Sequence, residues 1–116
     1  MGVVYRARQK SLNRDVAIKT LPHELSEDAA RLERFEREAR TLARLRHPRI
    51  AQIHEAGTFD AGQGPQPFFA MELVRGVALD AYVSDGAEEG TLSPAAVRGH
   101  LRLFLRVCEA VHYAHQ

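Results

Sequence analysis

A chain of 116 residues suffices for one small domain with a single core, and 45% hydrophobic with 27% charged residues is an ordinary soluble balance. No apolar run approaches the roughly 18–20 residues that a membrane span requires, and the N-terminal Met-Gly-Val-Val-Tyr-Arg does not read as a secretory leader. A formal net charge of +1 gives no strong bias toward nucleic acid, and one cysteine, Cys108, excludes an internal disulfide framework or a cysteine-based zinc site and suggests a reduced, cytoplasmic setting.

Residues 3–8 (Val-Val-Tyr-Arg-Ala-Arg) read as a strand by β-propensity, Gln9 to Asp15 as a polar turn, and Val16–Leu21 as a second strand with a lone lysine in it. Together they predict a hairpin that Pro22 ends. A long helix is predicted from Ser26 to Arg46, with Ser26 as N-cap and Glu27 and Asp28 in the first turn. Leu32, Phe35, Ala39, Leu42 and Leu45 make its apolar stripe, and Glu33–Arg37 and Glu36–Arg40 are spaced for ion pairing. His47-Pro48 stops it. Residues 50–59 and 67–74 are two further strand candidates around the turn-rich Asp60–Pro67, and 77–83 reads as a short helix. Ser84–Gly90 is a polar, acidic insert. Ser93-Pro94 then opens a last helix with an apolar stripe of Leu101, Phe104, Leu105, Cys108 and Val111.

The sharpest chemical signal is Val16-Ala17-Ile18-Lys19. A lysine among apolar residues is costly without a charge partner, so it points either to an anionic group or to an edge strand facing water. Glu38 lies beside the apolar stripe of the long helix rather than opposite it, where it can pair with Lys19 or stay solvated. The arginines between Arg31 and Arg49 read as a solvated helix face, because Glu33, Glu36 and Glu38 interrupt them and no aromatic residues are interleaved for base stacking. His112 and His115 share a helix face, but no carboxylate or cysteine pattern completes a metal site around them.

The ordered set Gly2-x-Val4-Tyr5-x-Ala7, Val16-Ala17-Ile18-Lys19, Arg34-Phe35-x-x-Glu38, His47-Pro48-x-Ile50, Met71-Glu72-Leu73-Val74-x-Gly76 and Ala110-Val111-x-Tyr113-Ala114-His115 resembles the N-terminal part of the bacterial Hanks-type serine/threonine protein kinase domain. The resemblance implies an α+β fold: an antiparallel sheet with one long helix over residues 1–71, a hinge over 72–76, and the first helices of a large lobe over 77–116, truncated at both ends. It implies ATP as nucleotide. Gly2 would be the last glycine over the phosphates, Val4 and Ala17 would cover the adenine, Lys19 would hold the α- and β-phosphates, and Glu38 would fix Lys19. Met71 would be the gatekeeper, Glu72, Leu73 and Val74 the hinge, and Leu79 would pack below the adenine. Leu42 and Ile53 would link helix to sheet.

The sequence departs from the family pattern in what it lacks. It begins at the final glycine of the loop, and it contains no H-R-D-L-x-x-x-N, no D-F-G and no A-P-E. The family's catalytic base and its magnesium ligands sit in those motifs. The expectation is therefore a piece of an ATP-dependent serine/threonine kinase, inactive as given, with its magnesium ligands elsewhere in the domain. Its partners would be ATP and a protein substrate, with no nucleic acid and no membrane segment in this chain, although the complete protein could carry an anchor. The rival readings are a non-catalytic nucleotide-binding or interaction module, a truncated pseudokinase, and a basic nucleic-acid-binding helix protein.

Overall fold

A computed structural model describes residues 2–85 and 93–116. Two strands, β1 (Val3–Gln9) and β2 (Arg14–Thr20), pair antiparallel, with Val4 opposite Lys19, Arg6 opposite Ala17 and Arg8 opposite Asp15. The second strand starts two residues before the expected Val16, where Arg14 Nε donates to Gln9 Oε1 at 2.6 Å and the hairpin closes two pairs nearer its tip. Asn13 takes φ 49° in the turn, a left-handed conformation that asparagine tolerates better than most residues.

Next come α1 (His23–Ser26) and α2 (Ala29–Arg44). The sequence pattern places one helix start at Ser26, and the structure corrects this. Pro22 carbonyl accepts from the Leu25 and Ser26 amides, so residues 22–26 close a turn of their own, and Ser26 Oγ donates back to His23 O at 2.8 Å. Asp28 is the N-cap of α2, its Oδ1 accepting from the amides of Ala30 at 3.0 Å and Arg31 at 3.4 Å. The helix ends at Arg44 rather than Arg46, with Leu45 extended at the C-cap. The Glu33–Arg37 pair forms at 2.7 Å.

The strands β3 (Ile53–Asp60) and β4 (Pro65–Glu72) complete a four-stranded antiparallel sheet of order β1-β2-β4-β3. Their turn is shorter than the expected Asp60–Pro67 because one side chain closes it. Asp60 Oδ1 accepts from Gly62 N at 2.7 Å and from Gly64 N at 3.1 Å. Both glycines have positive φ, and a Cβ on Gly64 would stand 2.8 Å from the His23 ring, so a side chain at 64 would strain the backbone and displace that ring.

The core lies between this sheet and α2. Leu21, Phe35 and Phe69 are buried together, with Leu25, Leu32, Ala39, Leu42, Ile53 and Met71 packed around them. The Phe35 and Phe69 rings are 5.2 Å apart and tilted by 42°. These elements form the first of two compact units, Met1–Val74; Arg75–Gln116 is the second. Within the second unit, α3 spans Leu79–Asp85 and α4 spans Pro94–Ala114. Ser93 Oγ accepts from Ala96 N at 3.1 Å and Pro94 opens the helix, as Ser93-Pro94 predicts. Of the expected Ser84–Gly90 insert, Ser84 and Asp85 belong to α3, and residues 86–92 lie outside the described residues. Leu101, Phe104, Leu105, Cys108 and Val111 are all exposed on α4.

Three outcomes follow from these contacts. Asp28→Ala lowers unfolding free energy by about 1 kcal/mol in urea titration, whereas Ser26→Ala costs clearly less. Hydrogen bonds from Gly62 and then Gly64 hold the Asp60 carboxyl below its ordinary value of 3.8. A depressed carboxylate contributes stability above its unfolded pKa and loses it as pH falls through the folded one. The acid limb of stability below about pH 3.8 is therefore shallower in Asp60→Asn than in the parent. The apolar stripe of α4 binds an environment-sensitive hydrophobic dye, and Phe104→Glu with Leu105→Glu reduces the signal.

Candidate functional site

Side chains alternate across a strand, so the register sorts the sheet into two faces. Lys19 and Ala17 on β2 share one face with Val4 and Arg6 on β1 and with Phe69 and Met71 on β4. This is the face that α2 covers, because Phe69 meets Phe35. Three residues after Phe35, near the same helical face, comes Glu38. Lys19 Nζ donates to both of its carboxylate oxygens, at 2.7 Å to Oε1 and 3.0 Å to Oε2. The lysine side chain is 21% exposed and the glutamate 44%.

Gly2 lies against the same lysine. A Cβ there would stand 2.6 Å from the Thr20 carbonyl oxygen and 3.2 Å from Lys19 Cε, so the chain at the start of β1 runs too close to β2 for a side chain. Gly2, Lys19 and Glu38 line one cavity of about 200 Å³ with Leu21, Phe35, Arg31 and Arg34. Arg31 Nε pairs with Asp28 at 3.4 Å. The two arginines were read from the sequence as part of a solvated helix face, with Arg34 also in the motif that carries the family resemblance. Arg34 precedes Glu38 by one helical turn, and that spacing is the signal that could have placed it at the cavity.

The other expected nucleotide residues occupy graded positions. Ala17 is buried, Val4 is 63% exposed, and Met71 is half-buried opposite Ala17. Glu72 ends β4 and is tied to the segment before β3: its amide donates to Gln52 O at 2.8 Å, and its Oε2 accepts from Gln52 N at 3.2 Å. No sequence pattern signals this exchange, which engages the Glu72 amide and side chain with Gln52. Leu73 is half-buried, and Val74, at 70% exposure, ends the first unit. Leu79 opens α3 in the second unit and is exposed. Asp80 Oδ1 accepts from Ala81 N at 2.8 Å. Among the described residues no group of three or more histidine, cysteine, aspartate or glutamate side chains could hold a metal ion.

A strand lysine held by a helix glutamate across the sheet, below a close glycine, is the arrangement found in protein kinase small lobes. The whole chain, residues 1–116, matches the protein kinase domain family. It belongs to that family. It is 37% identical over 117 residues to the serine/threonine-protein kinase PknB of Mycolicibacterium smegmatis, a match covering 100% of this chain and 18% of that protein. Over 82 residues it is 44% identical to PknA of Mycobacterium tuberculosis, covering 70% of this chain and 19% of that protein. Among solved structures, the Mycobacterium tuberculosis PknI kinase domain superposes with a TM-score of 0.68 at 32% identity, over 100% of this chain and 44% of that one. The α+β reading thus holds, and the four-stranded sheet with its helices is the N-terminal lobe of a kinase fold. The relatives are bacterial serine/threonine kinases, of whose length this chain spans less than a fifth.

The Lys19–Glu38 contact is a half-exposed ion pair, and such pairs add about 0.2–1 kcal/mol to stability. A double-mutant cycle of Lys19→Met and Glu38→Gln in chemical denaturation accordingly gives a coupling below about 1 kcal/mol. A coupling of several kcal/mol would make the pair a structural support rather than a ligand-facing one.

Proposed function

We propose that this chain is the nucleotide-gripping part of a serine/threonine protein kinase that transfers the γ-phosphoryl group of ATP to protein hydroxyls. The observation that carries the reading is the Lys19–Glu38 pair beside Gly2. The glutamate fixes the lysine at both carboxylate oxygens, so the ammonium is held in place before a phosphate arrives, and the positioning is paid in the fold rather than during binding. Gly2 lets backbone approach the phosphates without a side chain between. Val4 and Ala17 cover the base, Met71 closes the back of its slot, and Glu72, Leu73 and Val74 offer backbone groups to its edge.

Bound magnesium would neutralise charge on the phosphates. The chemistry of this chain's own residues ends at holding them, for the 116 residues include neither the H-R-D aspartate that accepts the hydroxyl proton nor the D-F-G aspartate that ligates the metal. These residues alone therefore bind nucleotide without turning it over. The same observation supports a second reading, a non-catalytic nucleotide-binding module. Its partners would be ATP and a protein, with no nucleic acid, in a cytoplasmic setting; no helix among the described residues is long and apolar enough to cross a membrane.

Lys19→Met in the kinase that carries this chain abolishes phosphoryl transfer while leaving far-ultraviolet circular dichroism unchanged; a wild-type rate would remove Lys19 from its role. Glu38→Gln lowers the rate less, since the lysine is loosened and not lost. For the 116 residues alone, a cooperative thermal transition that ATP raises favours the binding module, and a featureless melt removes it.

A further inference from the structure

The β1–β2 register works as a ruler along the face that the nucleotide would occupy. Each pair of same-face residues advances about 7 Å along a strand. Lys19 and Val4 stand at one level, Ala17 and Arg6 at the next, and Asp15 and Arg8 at a third. The phosphates belong with Lys19 and the base with Val4 and Ala17, so Arg6 flanks the base, and the Asp15 level lies beyond it on the side away from the phosphates. The Arg6 guanidinium leans toward that third level: its NH2 group is 3.3 Å from Asp15 Oδ2.

Asp15 does not balance the charge there. Its other oxygen takes Arg8 NH1 at 2.9 Å, and Arg8 NH2 also donates to Asn13 Oδ1 at 2.8 Å. Arg8 is thus held twice, while Arg6 has the longer contact and a side chain 64% exposed. Two guanidinium groups on one carboxylate leave a net positive charge at the outer end of the slot. The hydrogen bond and charge of Arg8, with those of Arg6, hold the Asp15 carboxyl below its ordinary value, so it stays ionised and the excess is one charge rather than two at neutral pH.

We propose, on the nucleotide reading above, that Arg6 is a specificity-determining residue of the base slot, taking an anionic group that a ligand carries on the side of the base away from the phosphates. A carboxylate there exchanges one loosely held partner of Arg6 for another and meets the uncompensated charge. A neutral or cationic group gains nothing from it.

The test uses a matched pair of 2-anilinopurines, one with a para-carboxylate and the other with the para-carboxamide, competing against a fluorescent ATP analogue on the purified protein. The parent is expected to bind the carboxylate about threefold more tightly than the amide, the scale of an exposed ion pair. Arg6→Leu brings the ratio to about one, and Arg6→Glu inverts it. Lys19→Met weakens ATP and leaves the purine ratio where it was. A parent ratio of one, or a ratio unchanged in Arg6→Leu, overturns the role of Arg6 while the nucleotide site stands. Failure of the parent to bind ATP or either purine overturns the nucleotide reading and Arg6 with it.

Discussion

The contact between Phe35 and Phe69 organises the first unit. Phe69 sits opposite Lys19 in the β2–β4 register, and Phe35 lies three residues before Glu38 on α2. One apolar contact between helix and sheet therefore brings two charged residues together that are far apart in sequence. The magnitudes agree with this order of cause. Burying a phenylalanine contributes roughly 1.5–3 kcal/mol, and Phe69 is wholly buried. The half-exposed ion pair contributes about 1 kcal/mol or less. The core places the pair, and the pair does not place the helix.

How legible was this in the sequence? The hairpin and α2 were, because both rest on local patterns: β-rich runs around a polar turn, and apolar residues repeating at helical spacing. Leu32, Phe35, Ala39 and Leu42 all face the core as the stripe requires. The start of α2 was not legible. Ser26 and Asp28 are both good caps, and what separates them is the Pro22 turn, whose carbonyl takes the amides of Leu25 and Ser26. The role of Glu38 was also open, since Glu33 and Glu36 lie on the same helix. Glu33 is engaged by Arg37, a local pair, while Glu38 is selected by a non-local register that no sequence window contains. The family resemblance closed that gap where spacing could not.

The two residue faces of β2 explain why its lysine was ambiguous. Val16 and Ala17 are both buried although they point to opposite faces, so the strand is covered on both sides where the hairpin joins β4. A near-continuous apolar run is what such a strand shows, and a lysine in it is left only partly exposed, at 21%. It extends instead to Glu38 on α2. The edge-strand alternative fails for a topological reason: β2 lies between β1 and β4 and is an interior strand of the sheet.

A weak pair on a strong core has a mechanical consequence. Because Lys19 and Glu38 contribute little to holding α2, the helix settles where the row Leu32, Phe35, Ala39 and Leu42 packs best, and the distance between the charges reports that packing. Coulomb attraction in a partly hydrated site is modest and is screened by salt, so it cannot hold a helix that its core has released. A small shift of the row is then enough to separate ammonium from carboxylate. On the proposed nucleotide reading, the hold of Lys19 on phosphate would depend on this geometry, and thus on the apolar row that seats α2.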